Sequence, residues 1–289
     1  MRILSLLPAA TEIVHALDAS EQLVGISHLC RQPAHAELPR VMRTSIDSDR
    51  WSMGEISRAV FRALEEQRPL YELDEERIRA LAPTLVFSQG LCPVCAATPQ
   101  DLEGSSAACA RLVTLTPRSL RDVADNIREV GAALGLELRA AELARSFEAR
   151  IAAVRERNAH AQALRVCVLE WFDPLWVSGE WIAEMVECAG ATPLILKPSD
   201  PSRRVEWSEL VAGDPDAIVL AACSMDIERT RRELPALERN PHWQGLRAVR
   251  AGQVYMMDGL RDCSTPGPGL ADGLERLEAH LVRARLSAR

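Results

Sequence analysis

The sequence predicts an α/β protein of two Rossmann-like lobes joined by a single long helix, and three observations carry that prediction. Its 289 residues amount to about two domains at roughly 100–200 residues each. In both halves, short apolar runs alternate with helix-period segments, the order expected of parallel strands with helical crossovers. Between the halves, Glu137 to His160 carries helical periodicity with no strand signal.

Ile3 to Leu7 is an apolar run ended by Pro8, and Thr11-Glu12-Ile13-Val14 through Leu17 then repeats apolar residues at helical spacing. Leu23-Val24-Gly25-Ile26-Ser27 reads as a second strand, so the opening is strand, helix, strand, a parallel pair with a right-handed crossover. Ile56, Val60 and Leu64 mark a helix, and Ile78 and Leu81 another. Leu85-Val86-Phe87-Ser88 is a buried strand after Pro83, and Leu112-Val113-Thr114-Leu115 closes a first lobe over residues 1–117. A linker over 118–161 follows. Pro117 to Leu134 and Glu137 to His160 are helical and broken near Gly135, with Leu143, Phe147, Ile151 and Val154 on one face of the second segment. A helix of about 22 residues spans roughly 33 Å, enough for a stiff strut from one lobe to the other. The second lobe, 162–289, starts over with the strand Arg165 to Trp171, the helix Trp181 to Cys188 and the strand Pro193 to Leu196. Gly213-Asp214-Pro215-Asp216-Ala217-Ile218-Val219-Leu220 matches Leu81 to Phe87 as a proline-punctuated entry into an apolar strand, a weak internal repeat.

Composition narrows the function classes. Apolar residues at 47% and charged residues at 26% are those of a folding chain rather than a disordered one. A net charge of −7 argues against nucleic-acid binding, which needs a basic face, and the Arg-rich stretch from Arg276 reads as a helix with a solvated basic edge. No apolar run approaches the ~18 residues of a membrane span, so no membrane insertion is expected. No signal peptide precedes Ile3, which places the chain as given in the cytoplasm, or in the periplasm if a leader was removed. Eight cysteines spread over a chain this large do not form a small-scaffold disulfide framework, and reduced thiols are expected.

Several motifs run together along the chain: Ser5-Leu6-Leu7-Pro8-Ala9-Ala10-Thr11-Glu12-Ile13, Leu23 to His28, Gln89-Gly90-Leu91-Cys92-Pro93-Val94-Cys95-Ala96, Glu170-Trp171-Phe172-Asp173-Pro174, Gly179-Glu180-Trp181, Glu184 to Glu187 and Pro266-Gly267-Pro268-Gly269-Leu270. On these residues the chain resembles the helical-backbone, periplasmic-type substrate-binding proteins that serve cobalamin, haem, siderophores and metal ions, and most closely their cobalamin-binding members. The resemblance covers nearly the whole chain and implies a ligand cleft between the lobes. It departs from the family pattern at Arg31, where an acidic residue is usual, at Glu180, where a His is usual, and at Thr265 and Gly269, which replace Arg beside the Pro-Gly-Pro turn.

Ligands of open α/β sheets bind beyond the carboxyl ends of the strands. The candidate ligand-binding residues are therefore Pro8, Ala9, His28, Gln89, Gly90, Leu91, Trp171, Phe172, Trp176, Glu180, Trp181, Ser224, Met225, Arg261, Pro266 and Gly267. Trp171, Trp176 and Trp181 offer stacking surface for a flat ligand, or else belong to the core. His28 could donate an axial bond to cobalt or iron, or serve the fold. Glu180 and Arg261 could read polar groups at the ligand rim, or be solvated loop charges. Cys92 and Cys95 form a C-x-x-C that, with Cys30 and Cys223, suits zinc or an iron–sulfur cluster, although free cysteines also pack as small hydrophobes. Glu170 and Asp173 form a possible carboxylate pair without a partner, although acidic pairs this close in sequence usually belong to surface loops. No G-x-S-x-G, H-E-x-x-H or P-loop is present, and no enzyme is expected.

The leading expectation is a small-ligand binding protein for a corrinoid, cobalamin-like, or a related tetrapyrrole, working with an ABC permease if exported. The alternatives are a cytoplasmic metal, iron–sulfur or thiol-redox protein using the cysteines, and a reuse of the fold as an enzyme or sensor without a transporter.

Overall fold

Proline punctuation sets the first elements in place. In the computed structural model, which describes residues 1–32, 37–91, 94 and 96–287, strand β1 (Ile3–Ser5) is buried throughout and helix α1 (Pro8–Ala16) starts on the proline itself. A proline there loses nothing, because the first N–H groups of a helix have no intrahelical partner. The chain divides into two units. Unit 1 comprises Met1–Arg50, Arg58–Pro117 and Asp122–Ser146; unit 2 comprises Trp51–Ser57, Arg118–Arg121 and Phe147–Arg289.

In unit 1, β1 is followed by β2 (Leu23–Ile26) and by β3 (Met42–Thr44), then by α2 (Met53–Glu65), whose first turn counts with unit 2. β4 (Tyr71–Leu73), α3 (Glu75–Leu81), β5 (Leu85–Gln89), α4 (Pro99–Leu102) and β6 (Arg111–Leu115) complete the unit's β structure. The main sheet has the order β2-β1-β5-β6 with every pairing parallel. Such strands are covered on both faces, and all five residues of β5 are buried. Leu4, Leu6, Val86, Ile78 and Leu102 share one core cluster. β3 and β4 form a separate antiparallel pair that the sequence did not announce, each being only three residues long.

The helices α5 (Leu120–Leu134) and α6 (Glu137–Arg157) follow the predicted break at Gly135, which adopts φ 71°. α5 begins at Leu120 rather than Pro117 because the Glu184 carboxylate accepts from Leu120 N–H at 2.7 Å, satisfying one of the free donors of the first turn. α6 passes from unit 1 into unit 2 after Ser146. Ala140 and Ala144 are its buried positions in unit 1, and Phe147, Ile151 and Val154 in unit 2, where Arg157 reaches Glu278 at 2.6 Å.

Unit 2 continues with β7 (Arg165–Phe172), β8 (Leu175–Val177), α7 (Glu180–Cys188), β9 (Thr192–Pro193), β10 (Arg203–Arg204), α8 (Trp207–Gly213) and β11 (Ala217–Leu220). Then come α9 (Ile227–Glu238), α10 (Pro241–Gly245), α11 (Arg247–Arg250), β12 (Val254–Met256), a π-helical turn Gly259–Cys263 and α12 (Leu270–Ser287). The sheet order is β10-β8-β7-β11-β12, with β9 also on β7. β9, β7, β11 and β12 run parallel, while β8 and β10 add an antiparallel edge. The predicted strand Pro193 to Leu196 stops at Pro193, since Ile195 takes φ 76°, a left-handed conformation that no strand accommodates. Among the described residues no helix is long and apolar enough to cross a membrane.

Candidate functional site

Each sheet has a point where consecutive strands depart in opposite directions, and the strand exits beside it are the expected ligand-contacting loops. In unit 1 that point lies between β1 and β5, flanked by Pro8 and Ala9 after β1 and by Gln89, Gly90 and Leu91 at the end of β5. Ala9 is buried, Pro8 and Leu91 are partly buried and Gly90 is exposed. Gln89 turns back on its own loop: its amide donates to Ala96 O at 3.0 Å, and its carbonyl accepts from Leu91 N–H at 2.7 Å.

His28 follows β2. The Arg40 guanidinium shapes this loop, one of its nitrogens donating to the carbonyls of Ser27 (2.7 Å), His28 (2.6 Å) and Cys30 (3.1 Å). The His28 ring lies 5.6 Å from that of Tyr71, whose hydroxyl donates to Val94 O at 2.6 Å. Nδ1 of His28 is buried with no hydrogen-bond partner among the described residues. Burial, and then the positive charge of Arg40, hold His28 below the usual imidazole range, so it stays neutral. Cys30 is buried beside Ser27 Oγ at 3.0 Å, and burial pushes its thiol up.

In unit 2 the reversal lies between β7 and β11. Trp171 and Trp176 stand directly opposite each other on β7 and β8, on one face of that hairpin, both partly buried. Trp171 Nε1 donates to Ser57 Oγ at 2.8 Å, and the N–H of the buried Phe172 points to Met53 Sδ at 3.3 Å. Trp181 is buried and donates to Cys263 O at 2.8 Å.

The possible carboxylate pair of Glu170 and Asp173 lies at the end of β7 and just beyond it. Only Asp173 is exposed; Glu170 is drawn inward, its Oε2 accepting from Ser178 Oγ at 2.9 Å and Ser202 Oγ at 3.1 Å. Burial, reinforced by the neighbouring Cys223, pushes the Glu170 carboxyl up to about 8. Gly179 is needed beside it, because a Cβ there would stand 2.0 Å from Asp200 O. Glu180 takes φ 50°, its carboxylate is 3.9 Å from Arg118, and burial raises it despite that cation.

The β11 exit carries Cys223, partly exposed, whose N–H donates to Glu170 O at 2.9 Å. Next are Ser224 at φ 60° and the buried Met225, whose carbonyl accepts from Leu260 N–H at 3.0 Å. Arg261 is exposed and spends its Nε on the buried Asp262 at 3.1 Å, which also accepts from Arg276 at 2.8 Å. Pro266 is partly buried and Gly267 buried.

The predicted four-cysteine constellation falls only partly within the described residues. Cys30 belongs to unit 1 and Cys223 to unit 2, while Cys92 and Cys95 lie outside the described residues. Among the described residues no three His, Cys, Asp or Glu side chains gather as a metal-ligand set. Sequence reasoning missed Arg40, Tyr71, Ser178 and Ser202. Of these only Ser178, which precedes the Gly179-Glu180-Trp181 motif, lay beside a signal that could have found it.

Comparisons with known proteins agree on the fold. A vitamin B12-binding protein of Pectobacterium atrosepticum is 23% identical over 279 residues, 91% of this chain and 87% of that protein. A periplasmic heme-binding protein from Roseiflexus, solved in its apo form, superposes with a TM-score of 0.72 at 24% identity over 98% of both chains. The periplasmic vitamin B12 binding protein of Vibrio cholerae gives 0.65 at 21% identity, covering 98% of this chain and 97% of its own. The family profile described as periplasmic binding protein matches residues 3–259. The two-unit α/β chain thus belongs to the periplasmic binding protein family.

Proposed function

We propose that this chain is the substrate-binding component of an ABC transporter and that its ligand is a corrinoid or a related tetrapyrrole, taken up at the carboxyl ends of the sheets. The observation that carries this reading is in unit 2, where the partly buried Trp171 and Trp176 stand opposite each other on β7 and β8, next to Glu170, whose carboxyl burial pushes up to about 8. Aromatic faces add contact area with little loss of side-chain entropy, and a few placed polar groups set orientation. That combination suits a large, flat ligand with uncharged polar groups on its rim. Resemblance to vitamin B12-binding proteins over most of the chain supports the same ligand class. Capture for a permease places the protein outside the cytoplasm.

Titration of the purified protein with cyanocobalamin, dicyanocobinamide and haem, followed by calorimetry and visible spectra, tests this. Stoichiometric binding of a corrinoid is expected. Binding of none of the three overturns the reading.

A further inference from the structure

β7 carries one more residue than β8 opposes. Pairing runs from Leu169 with Val177 directly to Trp171 with Trp176, which leaves Glu170 as the extra residue of a bulge. Bulges re-aim side chains and recur next to binding sites. This one is fixed from the other edge as well, because Cys223 N–H donates to the Glu170 carbonyl at 2.9 Å. The bulge stands at the carboxyl end of the central strand, beside the point where the strand order reverses.

The carboxyl is held asymmetrically. Both serine hydroxyls, from Ser178 and Ser202, donate to Oε2, and Oε1 has no hydrogen-bond partner among the described residues. With Oε2 already accepting twice, a proton on this carboxyl sits on Oε1. We infer that Glu170 is a specificity-determining ligand contact of unit 2, donating from Oε1 to an uncharged acceptor on the ligand such as an amide carbonyl. This rests on the proposed corrinoid reading, since the rim of a corrin carries amides.

The surrounding groups favour the same partner. The charge of Glu180 and the thiol of Cys223 both raise Glu170, and Cys263, Asp258 and Asp262 add further acidic groups on the adjoining turn. The cations nearby are engaged, Arg118 with Glu180 and Arg261 with Asp262. A protonated carboxyl can donate where a carboxylate can only accept. Burial supplies that proton up to about pH 8.

The test is the affinity of the full chain for dicyanocobinamide from pH 6 to 9.5, for the wild type, Glu170→Ala and Glu170→Gln. Wild-type affinity should fall as the pH passes about 8, when the donor is lost. Glu170→Ala should bind at least about tenfold more weakly at pH 7, in line with a lost buried polar contact. Glu170→Gln, whose amide still donates, should stay within a few-fold of wild type and show no fall across pH 8. If the wild type binds and Glu170→Ala binds equally well, or Glu170→Gln keeps the wild-type pH profile, the Glu170 assignment fails while the corrinoid reading stands. If the wild type binds no corrinoid, both fall together.

Discussion

The loops that close the two sheets are built around groups of opposite sign. At the exit of β2 in unit 1, the cation of Arg40 gathers three backbone carbonyls. At the exit of β7 in unit 2, the acid Glu170 gathers two serine hydroxyls. Yet the titratable side chains of the two loops end in the same electrical state. Burial lowers the base His28 and raises the acid Glu170, and each is uncharged near neutral pH. Desolvation thus moves both side chains towards the uncharged form, although one is a base and the other an acid.

The loops differ also in what braces them, and this yields the largest expected effect. Arg40 is an exposed residue that clamps carbonyls ten to thirteen positions away. The β7 exit leans instead on the distant segment Trp51–Ser57, which belongs to the same unit. Arg229 pairs with Glu233 with both side chains only 8% exposed. Arg229 donates to Trp51 O, Glu233 accepts from Met53 N–H at 3.1 Å, and Ser57 receives Trp171 Nε1. Removing one member of a buried pair leaves an uncompensated charge, so Arg229→Met should cost about 3–5 kcal/mol. Arg40→Met should cost only about 1 kcal/mol, the net contribution of exchangeable hydrogen bonds at an exposed site. Urea denaturation of the two variants measures both, and equal losses would break the distinction between local and remote bracing.

The opposite shifts of the two titratable groups predict opposite pH dependences of stability. Glu170 keeps its proton up to about pH 8 in the folded chain but releases it near 4.5 when unfolded, so its contribution is complete below 4.5 and is lost as the pH rises towards 8. His28 is held below the ordinary 6.5, so its contribution is present above that value and is lost as the pH falls through it. Relative to wild type, Glu170→Gln should therefore gain stability from pH 5 to 8, at no more than about 1.4 kcal/mol per pH unit. His28→Gln should gain relative stability below pH 6.5. Urea midpoints at pH 5, 6.5 and 8 suffice, and slopes of the same sign for both variants would contradict the shared neutrality of the two loops.

The sequence made the main strands legible because prolines and apolar runs mark their ends, as at Pro8, Pro83 and Pro215, and because strand exits locate loops without any knowledge of side-chain direction. Side-chain direction itself was not legible. Gln89 has a residue type that reads ligands, and nothing in the sequence shows that its side chain bonds Ala96 O and Leu91 N–H. Glu170 and Asp173 looked alike, but Glu170 is the partly buried extra residue of a one-residue register shift, which leaves no mark in composition or period, while Asp173 is exposed after the strand. β3, β4 and β10 escaped because two or three residues are too few to show an alternation. Arg40 and Tyr71 escaped because each acts on a loop distant in sequence.

The smallest effect sharpens the account of the unit 2 loop. Ser178 donates to Glu170 Oε2 at 2.9 Å, and the residue is buried. While Glu170 is protonated this is a bond between neutral groups, worth about 0.5–1.5 kcal/mol net; once Glu170 ionises, the same bond serves a charge and is worth about 1.5–3 kcal/mol. Ser178→Ala should therefore cost about 1 kcal/mol at pH 6 and more at pH 9, with the change centred above the wild-type midpoint near 8, because losing a hydroxyl that favours the carboxylate pushes the carboxyl higher still. Paired urea titrations at the two pH values measure the difference. A penalty that stays the same at both would mean that Glu170 holds one charge state throughout, and that the neutrality of this loop has another origin.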